Sequence, residues 1–482
     1  MTDTLDTRAC FAAVKSRDRR FDGTFFTGVK TTGIYCRPIC PAKTPKKENC
    51  LFFRCAAEAE SAGFRSCLRC RPESSPGTPA WLGTSATVSR GLRLIDEGFL
   101  AEHSVDDLAA RLGVGPRHLS RLFQQHLGTT PIAVEQSRML LLAMKLLRES
   151  SLSITDIAFA VGYGSLRRFH AAFRSAYGSP PSQHRKLKRS APEPNLNLSL
   201  GYRSPFDWKL LLGFFALRAV PGVERVEENA YLRTIELGDA RGILRVEADP
   251  DRDSVRLTLP AALGPHLPQA VHRVRDLFDL RADPRAIESQ LGKDKTLAPC
   301  FENHPGLRVP GCWDRFELAV RAILGQQVTV KGAVTLATRL VEMFGRPLPD
   351  SPPGLELLFP RPEDLVDADI VSIGMPESRA EAIRSLARAV HDGTLELDAS
   401  DGLEASVAKI RALPGLGEWT AQYIAMRALR EPDAIPVGDL GVRRALAEGG
   451  DLPSIKEVRE RILPWSPWGA YATIALWTSD HP

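Results

Sequence analysis

The chain has 482 residues, 43% hydrophobic and 25% charged, which excludes a largely disordered chain and supplies apolar material for several cores. At roughly 150 residues per domain, the length predicts about three or four units. No apolar run approaches the roughly 18 residues a membrane span needs, and the opening MTDTLDTRACFAAVKSRDRR lacks the basic-then-apolar layout of a secretory signal. We therefore expect a cytoplasmic protein with no membrane partner.

The net charge of +5 is unevenly spread: residues 1–190 carry 29 Lys and Arg against 16 Asp and Glu, the remainder 34 against 42. A basic front beside an acidic remainder predicts that the front meets a polyanion. Nucleic acid leads, with an acidic protein partner as the alternative. The nine cysteines segregate too, seven of them before residue 71 and only Cys300 and Cys312 later. Clustered cysteines without a secretion signal point to metal or redox chemistry rather than disulfides.

The first block ends near residue 75 in a Pro/Ser/Gly/Thr stretch, Arg71 to Pro79, that reads as a linker. Inside it, Cys36-x3-Cys40 and Cys67-x2-Cys70 are two close pairs separated by 26 residues. Such pairs make tetrahedral zinc sites when the fold joins their turns, so Cys36, Cys40, Cys67 and Cys70 are the expected Zn2+ ligands, and a purely structural zinc site is the default reading. Cys10, Cys50 and Cys55 have no such pairing and are expected to be small buried residues.

The second block, 84–190, is helical and contains a repeat. SVDDLAARLGVGPRHLSRLFQQHLGTTP from Ser104 matches SITDIAFAVGYGSLRRFHAAFRSAYGSPP from Ser153. Each copy reads as a short helix, a glycine turn and a second, basic helix, with a joining helix at Glu135–Arg148 and a basic exit from Arg185 to Arg189. Packed α-hairpins without a DNA role are the alternative. A break at 191–195 follows. The third block, 196–298, is α+β: a helix around Asp207–Ala216, strands at Tyr231–Leu237, Ile243–Ala248 and Ser254–Leu259, and a helix near Pro268–Leu280. The fourth, 299–482, is helical with Gly/Pro breaks. Its most pointed segment is Leu413-Pro414-Gly415-Leu416-Gly417-Glu418-Trp419-Thr420-Ala421, a tight turn running into an apolar helix, whose first N–H groups suit an uncharged grip on a DNA phosphate. Nineteen residues beyond Thr420 lies Asp439, for which a helix N-cap is the plain alternative.

Three resemblances organise these blocks. FFTGVKTTGIYCRPICPAK followed by GFRSCLRCRPE resembles the amino-terminal domain of the Ada methylation-repair regulators. That likeness implies that Cys36 is both metal ligand and methyl acceptor for methylated DNA phosphates. The tandem repeat is similar to the AraC-type DNA-binding domain, which implies second helices at about Pro116–His126 and Ser165–Ala176 in successive major grooves of promoter DNA. Arg117, His118, Arg121, Arg167, Arg168 and Arg174 are then the candidate DNA contacts, with Leu119, Phe123, Phe169 and Phe173 in the core. RNA polymerase is an expected partner of such an activator.

The turn with Asp439, together with FELAVRAILGQQ from Phe316, resembles the helix-hairpin-helix glycosylases of the AlkA type that release 3-methyladenine, with the third block as that family's small α+β, TBP-like domain. The resemblance implies that Asp439 is catalytic, that Trp419, Tyr423 and Trp477 line the pocket for a flipped base, and that Gly415 and Gly417 hold the DNA backbone. Trp465 and Trp468 are assigned to core or pocket wall. Gln327 stands where this type carries a leucine wedge, and Trp419 where bifunctional relatives carry a lysine, so base removal without strand cleavage is expected. No Pro-Cys-His nucleophile motif is present. The fold class expected is therefore multidomain α+β: a zinc methyl-acceptor domain at 1–75, an all-α double helix-turn-helix at 84–190, a small α+β domain at 196–298 and an all-α glycosylase domain at 299–482. A monomer is expected. The competing reading is a non-catalytic transcription regulator whose carboxy-terminal half only senses lesions.

Overall fold

The computed structural model describes residues 5–76, 86–185, 194–398, 400–447 and 451–480. Lys186 to Arg189 of the basic exit, 77–79 of the first linker and 191–193 of the second lie outside the described residues. The chain forms two compact units, one built from residues 1–204, 246–275 and 280–283, the other from 205–245, 276–279 and 284–482.

The first unit begins with the helix Thr7–Ser16, capped by the Asp6 carboxylate. A four-stranded sheet follows, from β1 (Phe26–Val29), β2 (Ile34–Cys36), β3 (Cys50–Phe53) and β4 (Arg65–Ser66), in the order β3-β1-β2-β4. Strands β2 and β4 run parallel, with Tyr35 opposite Ser66. The chain therefore leaves both strands side by side, which sets Cys36 beside Cys67.

The repeat forms two helix pairs: Val105–Arg111 with Pro116–Leu127, and Ile154–Ala160 with Leu166–Tyr177. Both first helices open with a capping box, Ser104 with Asp107 and Ser153 with Asp156. Both turns use a left-handed glycine, Gly113 at φ 70° and Gly162 at φ 102°. Leu119, Phe123, Phe169 and Phe173 have no solvent exposure, as their expected core role requires. The joining helix spans Pro131–Glu149, one turn longer at its start than the apolar periodicity indicated, because Thr130 caps it and Pro131 occupies its first position.

The α+β part holds a five-stranded sheet of β5 (Asn195–Gly201), β6 (Glu224–Val226), β7 (Ala230–Leu237), β8 (Ala240–Asp249) and β9 (Ser254–Pro260), in the order β5-β9-β8-β7-β6. The three central strands match expectation. Strand β5 does not: the second linker was read through Asn195, where this strand starts. Its Leu196, Leu198 and Leu200 are buried against the sheet, an alternation masked by the prolines before it.

The second unit is mainly helical. Its helices include Trp208–Ala216, Arg315–Leu324, Val330–Phe344, Glu377–His391, Leu403–Arg411, Glu418–Arg427, Leu440–Ala445 and Gly469–Asp480. Helices Leu403–Arg411 and Glu418–Arg427 with their short turn are the hairpin. A two-stranded ribbon, Arg346–Pro347 against Leu357–Leu358, interrupts the expected all-α pattern.

Candidate functional sites

The four sulfurs of Cys36, Cys40, Cys67 and Cys70 lie within 4.8 Å of one another. A tetrahedral Zn2+ with bonds of about 2.3 Å separates its sulfurs by about 3.8 Å, and Cys40 and Cys67 are 3.9 Å apart. The donor set thus fits Zn2+. The Arg37 backbone N–H donates to Cys70 Sγ at 3.3 Å, and its guanidinium donates to the Cys70 carbonyl at 3.0 Å and pairs with Asp22. These outer contacts fix the sulfur geometry. Cys67 and Cys70 are buried, whereas Cys36 and Cys40 keep some exposure. Cys10, Cys50 and Cys55 are buried, as expected.

Arg117, His118, Arg121, Arg167, Arg168 and Arg174 are all exposed on the second helices of the repeat, opposite the buried aromatic and leucine side chains. The metal-bearing part packs on the ends of both helices. Arg54 donates to the His126 carbonyl at 2.5 Å, a Cβ at Gly128 would meet Glu58, and a Cβ at Gly178 would meet Arg65.

In the second unit, Asp439 caps the helix Leu440–Ala445 through its Oδ1, which accepts from the Val442 N–H at 3.0 Å. The plain alternative is therefore true, but incomplete. The Trp477 indole also donates to Oδ1 at 2.8 Å, and the Trp419 indole donates to Oδ2 at 2.8 Å. Among the described residues no Lys or Arg pairs with this carboxylate, so its charge is not neutralised by an ion pair. Trp419 and Tyr423 stack at 5.3 Å, and Tyr423 lies 6.1 Å from Trp477. Trp465 donates to Asp294 and, like Trp468, is core.

Burial would raise the Tyr423 hydroxyl, but the Arg427 and Arg218 guanidiniums outweigh it and hold it below its ordinary value. Arg427 donates to that hydroxyl at 2.5 Å and to the Pro310 and Gly311 carbonyls. Sequence reasoning missed Arg427, which anchors the pocket tyrosine; its i, i+4 spacing from Tyr423 was the available signal. It also missed Gly441, where a Cβ would meet the Trp477 indole at 3.1 Å.

Gly415 sits at φ 79°, and a Cβ there would meet the Ala382 Cβ at 2.7 Å. Gly417 caps the helix Glu418–Arg427 without a side-chain bond, and open space surrounds it. Gln327 is exposed, with a left-handed backbone at φ 56°. Its neighbour Gln326 donates to the Gly415 carbonyl at 3.0 Å and to Thr420 at 2.9 Å, which ties the Gln327 turn to the hairpin.

Four family profiles match the chain: the metal binding domain of Ada over residues 9–73, a helix-turn-helix domain over 108–187, the AlkA N-terminal domain over 197–314, and the HhH-GPD superfamily of base excision DNA repair proteins over 320–467. A Mycobacterium tuberculosis protein named "Probable bifunctional transcriptional activator/DNA repair enzyme AlkA" is 40% identical over 484 residues, covering 99% of this chain and 97% of that one. The chain belongs to this bifunctional AlkA family. With the Ada metal-binding profile over these residues, its four-cysteine cluster is an Ada-type Zn2+ site. The Escherichia coli DNA-3-methyladenine glycosylase 2 is 35% identical over 285 residues, covering 58% of this chain and 97% of its own. The solved 3-methyladenine DNA-glycosylase from Archaeoglobus fulgidus aligns with a TM-score of 0.52 at 23% identity, covering 58% of this chain and 97% of that one, a likeness of fold.

Proposed function

We propose that this chain repairs alkylated DNA in two ways and reports one of them to a promoter. Residues 1–75 accept a methyl group from methylphosphotriesters, 84–190 bind promoter DNA as an activator that meets RNA polymerase, and 196–298 with 299–482 excise alkylated purines such as 3-methyladenine. In this reading the protein is cytoplasmic and monomeric.

The observation that carries the excision reading is the Asp439 carboxylate, gripped by two indole N–H groups and one backbone N–H yet lacking a cationic partner. A carboxylate so oriented stabilises the sugar cation that develops as the damaged base leaves, and directs the attacking water. Trp419, Tyr423 and Trp477 supply faces for a flipped base, and an alkylated purine, being cationic, gains on the order of 1–2 kcal/mol there. Gln327 fills the vacated space, and Gly415 and Gly417 let the backbone of the hairpin approach one phosphate. Trp419 at the hairpin leaves no lysine nucleophile there, so the excision is monofunctional.

At the other end, the sulfur of Cys36 attacks the methyl carbon of a phosphotriester. The S–C bond forms as the C–O bond breaks, and the electron pair leaves on the restored phosphodiester oxygen. Zn2+ held by Cys36, Cys40, Cys67 and Cys70 supplies thiolate character at neutral pH. Four thiolates around a dication carry a charge of about −2, which repels DNA; methylation halves it. Removing one charge about 5 Å from a phosphate at an effective dielectric near 20 is worth about 3 kcal/mol, less screening.

Incubating the purified protein with methylated duplex tests the excision. Wild type is expected to free 3-methyladenine, and Asp439→Asn to do so about 10²–10³-fold more slowly. Binding of the lesion by wild type without any release would favour the non-catalytic regulator.

A further inference from the structure

We infer that the first unit contains a buried anion site, distinct from its DNA-reading surface, that takes a small phosphate-type dianion. A cavity of about 170 Å³ lies where the exit of the metal-bearing part, Pro72 to Ser75, meets the joining helix Pro131–Glu149 and the helix Leu267–Leu277. That is several times the ~30 Å³ one water occupies in the liquid. Five Lys and Arg side chains line it against two acids, Glu73 and Asp96.

The acids are already engaged. Asp96 pairs with Arg281 at 2.7 Å, and Glu73 with Arg148 at 2.6 Å and Arg71 at 3.2 Å. Behind the wall, Glu149 is shared by Arg71 at 2.7 Å and Lys145 at 3.0 Å. Three cations, Arg71, Lys145 and Arg148, thus share the two carboxylates Glu73 and Glu149. The Lys145 side chain is only 3% exposed. Burial lowers its pKa, and Arg275 and Arg71 press in the same direction against the pull of Glu149. A buried cation is costly unless it is paired, and an anion is a group that pairs it.

Donors are in place as well. Among the described residues, Lys145 Nζ makes no hydrogen bond of good geometry beside its ion pair with Glu149, and the Ser75 hydroxyl, on a residue 6% exposed, has no partner. Both residues line the cavity, as does Ser137. Ammonium and hydroxyl donors lining one cationic cavity match a tetrahedral oxyanion, free or as a phosphomonoester. At about 170 Å³ the cavity is too small to admit a DNA backbone. Bound there, the anion joins the metal-bearing part to both helices.

Calorimetric titration of the full zinc-loaded chain with inorganic phosphate, at constant ionic strength set by sodium chloride, tests this. One saturable site is expected, weakened at least tenfold by Ser75→Val and abolished by Lys145→Met. Should Lys145→Met not fold, Ser75→Val and Ser137→Val decide the matter. A parallel titration with glycerol phosphate separates the free ion from a phosphomonoester by which binds tighter. No saturable binding of either, or binding that the cavity substitutions leave unchanged, overturns the inference. Neither result bears on base excision, which uses the other unit.

Discussion

Asp439 caps a helix and, in the function we propose, is also the reagent of base excision. A cap needs only the bond from Val442, yet two indoles also aim their N–H groups at the same carboxylate. Those donors fix its position, and the same bonds orient the two indole rings. Trp477→Phe keeps the ring and deletes one donor. With a bond to a charged group worth about 1.5–3 kcal/mol, base release is expected to slow by roughly ten- to a hundredfold while lesion binding changes little; unchanged release would remove the indole from the account. The glycines of the hairpin separate in the same way. Gly415→Ala forces a left-handed alanine against Ala382 and is expected to cost about 1–3 kcal/mol of stability in a thermal melt. Gly417→Ala, in open space, should leave the melt unaltered and weaken binding to alkylated duplex. Gly415, Gly417, Asp439 and the three rings were legible as motif residues. Arg427 and Gly441 were not, because their roles depend on contacts with Tyr423 and Trp477 that close only in the folded chain.

Whole elements were legible wherever the local signals agreed. The repeat carries caps, glycine turns and an apolar helical stripe twice over, so both second helices fall within one residue of expectation. Strand β5 failed because proline-rich text precedes it and its partner β9 lies some sixty residues on; only the pairing of Leu196 opposite Leu259 reveals it. Short-range spacing cannot report a long-range pairing. The ribbon Arg346–Pro347 was missed for a related reason: Glu236 on β7 holds it, accepting from Arg346 at 2.9 Å and Arg361 at 2.9 Å. Burial would raise the Glu236 pKa, but hydrogen bonds from Arg346 and Arg361 win and bring it down to about 2. A carboxylate with a depressed folded pKa stabilises above its unfolded value of about 4.3, and that stabilisation is lost as pH falls toward 2. Glu236→Gln is therefore expected to melt below wild type at pH 7, with the gap closing between about pH 4 and pH 2. A gap that persists at pH 2 would assign the loss to packing instead.

Across the molecule, chemistry and charge divide together. The basic front holds the sulfur cluster and the exposed arginines, and the acidic remainder holds the Asp439 site and the glycine hairpin. Cysteine spacing identified all four metal ligands because two turns, each with a close pair, are enough to specify a tetrahedral site. What spacing could not show is that the metal-bearing part packs against the carboxy-terminal ends of both DNA-reading helices, at Gly128 and Gly178. That placement brings the sulfur charge into the same body as the promoter reader and makes a change of one charge count. The direct test is promoter affinity before and after methyl transfer to Cys36, measured on the full zinc-loaded chain at one fixed salt concentration. The account predicts tighter binding after transfer, by at least tenfold, with the methyl group found on Cys36; equal affinities, or a methyl group on another residue, would contradict it.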